Sequence, residues 1–223
     1  MLTATPLPTF TKPARHPARY SVALLPVMAQ YLQPHWRVLD PFGGVGGLAK
    51  LAHTGTRIVI GELEFPIIQQ AAGKRRVNAN AVALPFADDS FDAIATSPTY
   101  GNRMADTYTD DSRRNTYTAA FGFALHPQNS GAIQWGPRYR ILHRTAWDEA
   151  ARVLKPRGLF VLNISNHIRD GREINVAAWH CETLKSLGLH LQTTHTIPTP
   201  RNRYGANGEK RAPCEYIFVF QKL

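Results

Sequence analysis

Ser97-Pro98-Thr99-Tyr100 closes a run of mostly apolar residues from Phe91 to Thr96, and it offers a hydroxyl, a carbonyl stiffened by proline and an aromatic ring in succession. A second chemically suggestive stretch lies upstream. In VLDPFGGVGG, residues 38–47, Asp40 ends an apolar run and Phe42, Gly43, Gly44, Gly46 and Gly47 follow in a turn. Glycines let a backbone approach a ligand closely and adopt positive φ. The helix expected after the turn would present unpaired N–H groups to negative charge or lone pairs. Glu62 closes the next apolar run, where a carboxylate can take both hydroxyls of a ribose, and Asn80 is placed to meet an adenine ring edge. Each has a plainer reading: tight packing for the glycines, a solvated strand-end acid for Glu62, a turn residue for Asn80. Taken in order, they outline a nucleoside site along the carboxyl edge of a sheet.

Such a site needs strands that end together. Residues 21–32 have helical spacing, with Pro26 early enough to be tolerated. A strand then runs into the glycine turn and its helix; 57–64 reads as a second strand and 66–77 as a second helix with Pro66 near its start. Residues 90–98 form the next clear strand, being short, apolar and bounded by turn residues. Periodicity fades across 101–140, a segment expected to be an insertion with a functional role. A helix is expected over 144–158, a buried strand over 159–165 and a helix over 174–190, followed by two strands joined by a basic loop at 200–213. The first twenty residues read as an extended arm. Strands alternating with helices predict one α/β domain over 1–223, with a mostly parallel sheet covered on both faces.

Composition narrows the partners. The chain has 223 residues, 43% of them hydrophobic, enough for one sizeable core. Its 26 Lys and Arg against 16 Asp and Glu give a formal charge of +10, which favours a polyanion such as nucleic acid. No apolar run approaches the roughly eighteen residues of a membrane span. The first residues lack the pattern of a secretory signal, and Cys181 and Cys214 are few and far apart; a cytoplasmic protein is expected. His53, His126, His143, His167, His180 and His195 show no metal-like spacing, so no metal is assigned.

On these residues the chain resembles the S-adenosylmethionine-dependent methyltransferases. DPFGGVG is similar to their first motif, Glu62 to the ribose acid, and the run from Asn80 through Tyr100 to the segment joining the adenine contact to the catalytic strand. The resemblance implies a class I Rossmann-like fold with a seven-stranded sheet and a C-terminal antiparallel hairpin. It implies S-adenosylmethionine as cofactor, held by Asp40, Phe42, Gly44, Gly46, Glu62, Asn80 and Ser97. Asp40 suits a methionine ammonium group and would repel a pyrophosphate. His16, Pro17 and Tyr20 resemble, more loosely, an element that closes over the methionine part of the cofactor, where an amphipathic lead-in helix is the plainer reading.

Ser97-Pro98-Thr99-Tyr100 resembles the catalytic tetrapeptide of the amino-methylating branch, commonly Ser/Asp/Asn-Pro-Pro-Tyr/Phe, which modifies exocyclic nitrogens of cytosine or adenine. That likeness implies that Ser97 Oγ and the Pro98 carbonyl accept the hydrogens of the target amine, stabilising the charge that develops on nitrogen. Tyr100 would stack on a base rotated out of its helix. Thr99 departs from the second proline and removes some rigidity. No separate recognition domain is expected. DNA contacts would come from Arg103, Trp135 and Arg138 in the insertion and from Arg201, Arg203, Tyr204, Lys210 and Arg211 in the basic loop. The expected activity is methylation of a DNA base, cytosine N4 ahead of adenine N6. An RNA base methyltransferase, or a nucleic-acid-binding protein impaired in catalysis, is the alternative.

Overall fold

The computed structural model describes residues 23–101, 122–199 and 212–223. In chain order the main elements begin with α1 (Leu24–Ala29), β1 (Arg37–Asp40), a 3-10 helix (Gly47–Thr54), β2 (Arg57–Glu62), α2 (Phe65–Gln70), β3 (Arg75–Asn78) and β4 (Phe91–Thr96). They continue with α3 (Pro137–Val153), β5 (Leu154–Ile164), β6 (His167–Arg169), β7 (Arg172–Ile174), α4 (Val176–Ser186), β8 (Leu189–Pro198) and β9 (Cys214–Lys222). Seven strands form one sheet in the order β3-β2-β1-β4-β5-β9-β8. Strands β1 to β5 run parallel, while β9 lies antiparallel to both β5 and β8. Strands β6 and β7 make a separate short hairpin.

Successive residues of the central strands point to opposite faces, and both faces are apolar, the pattern that a sheet sandwiched between helices requires. Leu39, Val59, Ile94, Phe160, Leu162, Phe218 and Phe220 face one core, completed by α3 and α4. Val38, Ile58, Ile60, Ala93, Ala95, Val161, Ile217 and Val219 face the other, against α1 and the 3-10 helix. Helix α3 buries Tyr139, His143, Ala146, Trp147, Ala150 and Val153, one stripe at three- and four-residue spacing.

Four expectations change. The helix expected over 66–77 is the six-residue α2 followed by strand β3, whose Arg75 and Arg76 are exposed; a charged edge strand carries no apolar alternation to announce it. The helix expected over 144–158 begins earlier, at Pro137, and ends at Val153. Its last carbonyls are satisfied from outside: Asp89 and Ser90 N–H donate to Arg152 and Val153, and Lys222 Nζ donates to Ala151 and Leu154. Residues 155–158 then form an irregularity within β5, where a Cβ on Gly158 would sit 2.8 Å from Lys155 O and 2.9 Å from Asp92 O. The helix expected over 174–190 is confined to Val176–Ser186, with the β6–β7 hairpin before it. The element after the glycine turn is a 3-10 helix rather than an α-helix.

Candidate active site

The carboxyl ends of β1, β2 and β4 lie side by side, and each delivers one of the singled-out residues. At the end of β1, Asp40 is fully buried. Its Oδ1 accepts hydrogen bonds from Thr96 Oγ1 (2.7 Å) and the Phe42 amide (3.2 Å), while Oδ2 is buried with no partner among the described residues. Burial pushes the Asp40 carboxyl up to about 7 against the lowering effect of those two bonds, and the nearby Glu62 adds to the rise. Glu62, at the end of β2, accepts from Gly44 N (3.0 Å) and Glu64 N (2.8 Å) and is likewise raised, chiefly by burial, to about 7. When both are ionised, these two neighbouring buried acids favour a cationic or hydroxyl-bearing group over a phosphate.

Three amides of the glycine turn are already engaged. Gly43 N–H donates to Gly61 O, Gly44 N–H to Glu62, and Gly46 N–H to Gly43 O, so all three amides are committed within the protein. Gly46 is required for close packing. Its φ is +79°, and a Cβ there would lie 2.4 Å from Ala72 O. Phe42 is half-buried, its ring stacked on His143 (5.3 Å) with its edge towards Trp147 (5.6 Å), which ties the turn to α3. Burial holds the His143 imidazole down to about 4, so it is neutral there.

Asn80 is half-buried; its Oδ1 accepts from Val82 N and its Nδ2 donates to Gln128 Oε1 at 3.1 Å. Gln128 belongs to the later part of the expected insertion, which folds back over this edge. Glu64 Oε1 accepts from His126 N and Asn129 Nδ2, fastening that segment beside the end of β2. Asn78, unremarked in the sequence, donates to the carbonyls of Glu62 and Leu63 and sets the path of the chain after the acid.

At the end of β4, Thr96 links Asp40 directly to the tetrapeptide that follows it. Ser97 Oγ donates to Asn163 Oδ1 (2.9 Å) on β5, which leaves its lone pairs as acceptors. The Tyr100 hydroxyl lies 2.9 Å from Glu215 Oε2 and 3.2 Å from Asn163 Oδ1. Asn163 Nδ2 donates to Glu215 Oε2 and to Tyr216 O. Thus Tyr100 is half-buried and its hydroxyl is tethered to β9. Asn163 and Glu215 are both buried and were not foreseen. Their signal was present: an amide inside LFVLNIS and an acid inside CEYIFVFQ are rare in buried strands unless paired.

No protein-family model and no curated protein sequence matches the chain. Solved structures do. A SAM-dependent methyltransferase from Methanosarcina mazei superimposes with a TM-score of 0.60 at 15% identity, covering 89% of this chain and 97% of that one. A TehB-like SAM-dependent methyltransferase from Corynebacterium glutamicum gives 0.54 at 15% identity, over 89% and 86%. The [4+2]-cyclase SpnF gives 0.58 at 16% identity, over 89% and 80%.

The chain has the class I methyltransferase fold. In such open α/β sheets ligands bind beyond the carboxyl ends of strands, where the strand order reverses. Here the reversal lies between β1, which ends at Asp40, and β4, which Ser97 directly follows.

Within this methyltransferase fold the structure brings Asp40, Phe42, Gly44, Glu62, Asn80, Ser97, Pro98 and Tyr100 to one edge. The remaining expected residues divide. Trp135 is half-buried in an aromatic cluster with Tyr139 (5.2 Å) and Trp179 (5.8 Å), and its backbone N–H donates to Gly101 O. Its ring packs within that cluster. Arg138 is exposed, and the Arg140 guanidinium lies 5.8 Å from the Trp135 ring. Arg169, not expected, donates to the carbonyls of Trp135 and Gly101 and to Gln134, clasping the two ends of the segment that follows Tyr100. His16, Tyr20, Arg103, Arg201, Arg203, Tyr204, Lys210 and Arg211 lie outside the described residues. Among the described residues no group of three or more His, Cys, Asp or Glu is placed to hold a metal ion, and no helix is long and apolar enough to cross a membrane.

Proposed function

We propose that the protein is an S-adenosylmethionine-dependent methyltransferase acting on an exocyclic amino nitrogen of a nucleobase in nucleic acid, with cytosine N4 of DNA as the first substrate to test. The observation that carries the cofactor assignment is the buried Asp40 carboxylate, with one oxygen unpartnered among the described residues, beside the second raised acid, Glu62. A buried carboxylate oxygen without a donor is costly, and a cationic ligand relieves that cost. Asp40 would hold the cationic end of the cofactor, and Glu62 the ribose hydroxyls with the lone pairs left after its backbone amide bonds. Asn80 would contact the adenine edge. Bound there, the cofactor supplies an electrophilic methyl group.

Support for an amino target comes from the tetrapeptide. Ser97, with its hydrogen on Asn163, would meet a ligand as an acceptor, and Pro98 fixes the backbone φ just before its own carbonyl. Two acceptors directed at an NH2 group draw its hydrogens aside and favour tetrahedral nitrogen. A hydroxylic or carbon target would offer only one hydrogen or none to such a pair. The charge of +10 supports a polyanionic substrate. Incubating the protein with methyl-labelled cofactor and DNA or RNA, then analysing the nucleosides, tests the reading. Label in N4-methylcytosine or N6-methyladenine from DNA supports it, label confined to RNA moves the substrate, and label in neither nucleic acid overturns it.

A further inference from the structure

Behind the tetrapeptide runs a polar chain through the apolar core between α3 and α4. Trp147 Nε1 donates to His180 Nδ1 at 2.9 Å; His180 Nε2 lies 2.9 Å from the Tyr139 hydroxyl; that hydroxyl donates to Thr99 O at 2.7 Å. Trp147, His180 and Tyr139 are all fully buried. The direction of each bond follows from chemistry. Indole nitrogen only donates, so His180 Nδ1 is the bare nitrogen and Nε2 carries the hydrogen. Burial holds the His180 imidazole well below its ordinary range, and the ring is therefore neutral and carries a single hydrogen. Nε2–H must then donate to Tyr139, whose own hydrogen is left for the Thr99 carbonyl. A satisfied buried network of this kind has one arrangement, and its free end is the backbone of the tetrapeptide.

We infer that Tyr139, oriented by His180 and Trp147, is a positioning residue that fixes the Thr99 carbonyl and with it the relative placement of Pro98 and Tyr100. The loop needs such a brace. Thr99 has an ordinary rotatable backbone, its side-chain hydroxyl is buried without a partner among the described residues, and the chain leaves the site at Gly101 with φ +63°. Downstream, Gly101 O is held by Trp135 N and Arg169, so the Tyr139 bond and the Arg169 clasp grip both sides of Tyr100. Tyr139 is also packed against Trp135 and His143, so a phenylalanine would keep the ring packing while losing the bond to Thr99 O and leaving His180 Nε2–H without its acceptor.

The kinetic part of this inference rests on the methyl-transfer reading, whereas the conformational part does not, and the experiment separates them. Amide hydrogen exchange of the 97–101 segment is compared in wild-type protein, Tyr139→Phe, and Val153→Ala, a cavity variant at the far end of the same helix. Tyr139→Phe is expected to speed exchange at Tyr100 and Gly101 on the order of tenfold, the population shift that loss of one buried hydrogen bond produces. Val153→Ala is expected to leave those amides as in wild type. In methyl transfer, Tyr139→Phe is expected to lower kcat by a similar factor with cofactor KM within about twofold. As a second arm, His180→Gln keeps a donor for Tyr139 and is expected to exchange like wild type, whereas His180→Leu leaves the hydroxyl its bond to Thr99 O without the orienting donor and is expected to fall between wild type and Tyr139→Phe. Unchanged exchange at Tyr100 and Gly101 in Tyr139→Phe, or an equal increase in Val153→Ala, would overturn the inference. A wild-type protein that transfers no methyl group overturns the proposed function alone, because the exchange data still decide the role of Tyr139.

Discussion

Replacing Asp40 by asparagine separates what the site needs for function from what the fold needs for stability. An amide oxygen in the place of Oδ1 can keep the bonds from Thr96 and Phe42, and the NH2 group takes the place of Oδ2, which has no partner among the described residues. The native carboxyl is raised from 3.8 to about 7 by burial. Linkage sets the sign. Between about pH 4 and 7 the unfolded chain has released this proton while the folded protein still binds it, so the contribution of Asp40 to stability falls as pH rises through that window. A rise of about three units, at ~1.4 kcal/mol per unit, amounts to about 4 kcal/mol of destabilisation once the group is ionised in both states. The asparagine lacks this effect, and burying its amide without a partner costs about 1–3 kcal/mol at every pH. The difference in stability between Asp40→Asn and wild type should therefore move in favour of the variant by about 2–3 kcal/mol between pH 5 and pH 8. Urea unfolding followed by tryptophan fluorescence at both pH values measures it. Titration calorimetry with S-adenosylmethionine should show binding to the same variant weakened by about tenfold or more, because a charge-assisted hydrogen bond is removed. A stability difference that is the same at both pH values would refute the buried-charge account, and undiminished cofactor binding would refute the role given to Asp40.

Other substitutions test other parts of the site. Glu62→Ala should weaken cofactor binding by about 1–3 kcal/mol, read by the same calorimetry, and unchanged affinity would remove Glu62 from the site. Ser97→Ala should lower kcat for methyl transfer while leaving cofactor affinity near wild type, because it deletes an acceptor for the target amine. Gly46→Ala forces a Cβ against Ala72 O and an unfavourable φ, and thermal denaturation should show it less stable by about 1–3 kcal/mol. Alanine at Arg201, Arg203, Lys210 and Arg211 together should flatten the salt dependence of DNA binding by about one unit of log slope per phosphate that those side chains neutralise; an unchanged slope would leave that loop no part in binding.

Much of the fold was legible before any tertiary contact was known, because its signals are local. The apolar runs ending at Asp40, Glu62 and Thr96, each followed by turn residues, identify parallel strands that finish at one edge, and the ordered motifs mark that edge as the candidate site. The antiparallel pair at the C-terminus was legible for the same reason. The charged edge strand β3 was not, since an edge strand with exposed arginines looks like the solvated side of a helix. Which polar groups meet one another emerged only from the folded arrangement. Tyr100 meets Glu215 across 115 residues, Ser97 meets Asn163 across 66, and Thr99 is reached by Tyr139 across 40. The folded arrangement also commits the amides of Gly43, Gly44 and Gly46 inside the protein, which the glycine spacing alone does not reveal. Short-range pattern specifies the elements because backbone geometry is periodic. The placing of one side chain against another depends on how the sheet orders its strands, and β9 comes to lie beside β5 only when the whole chain has folded.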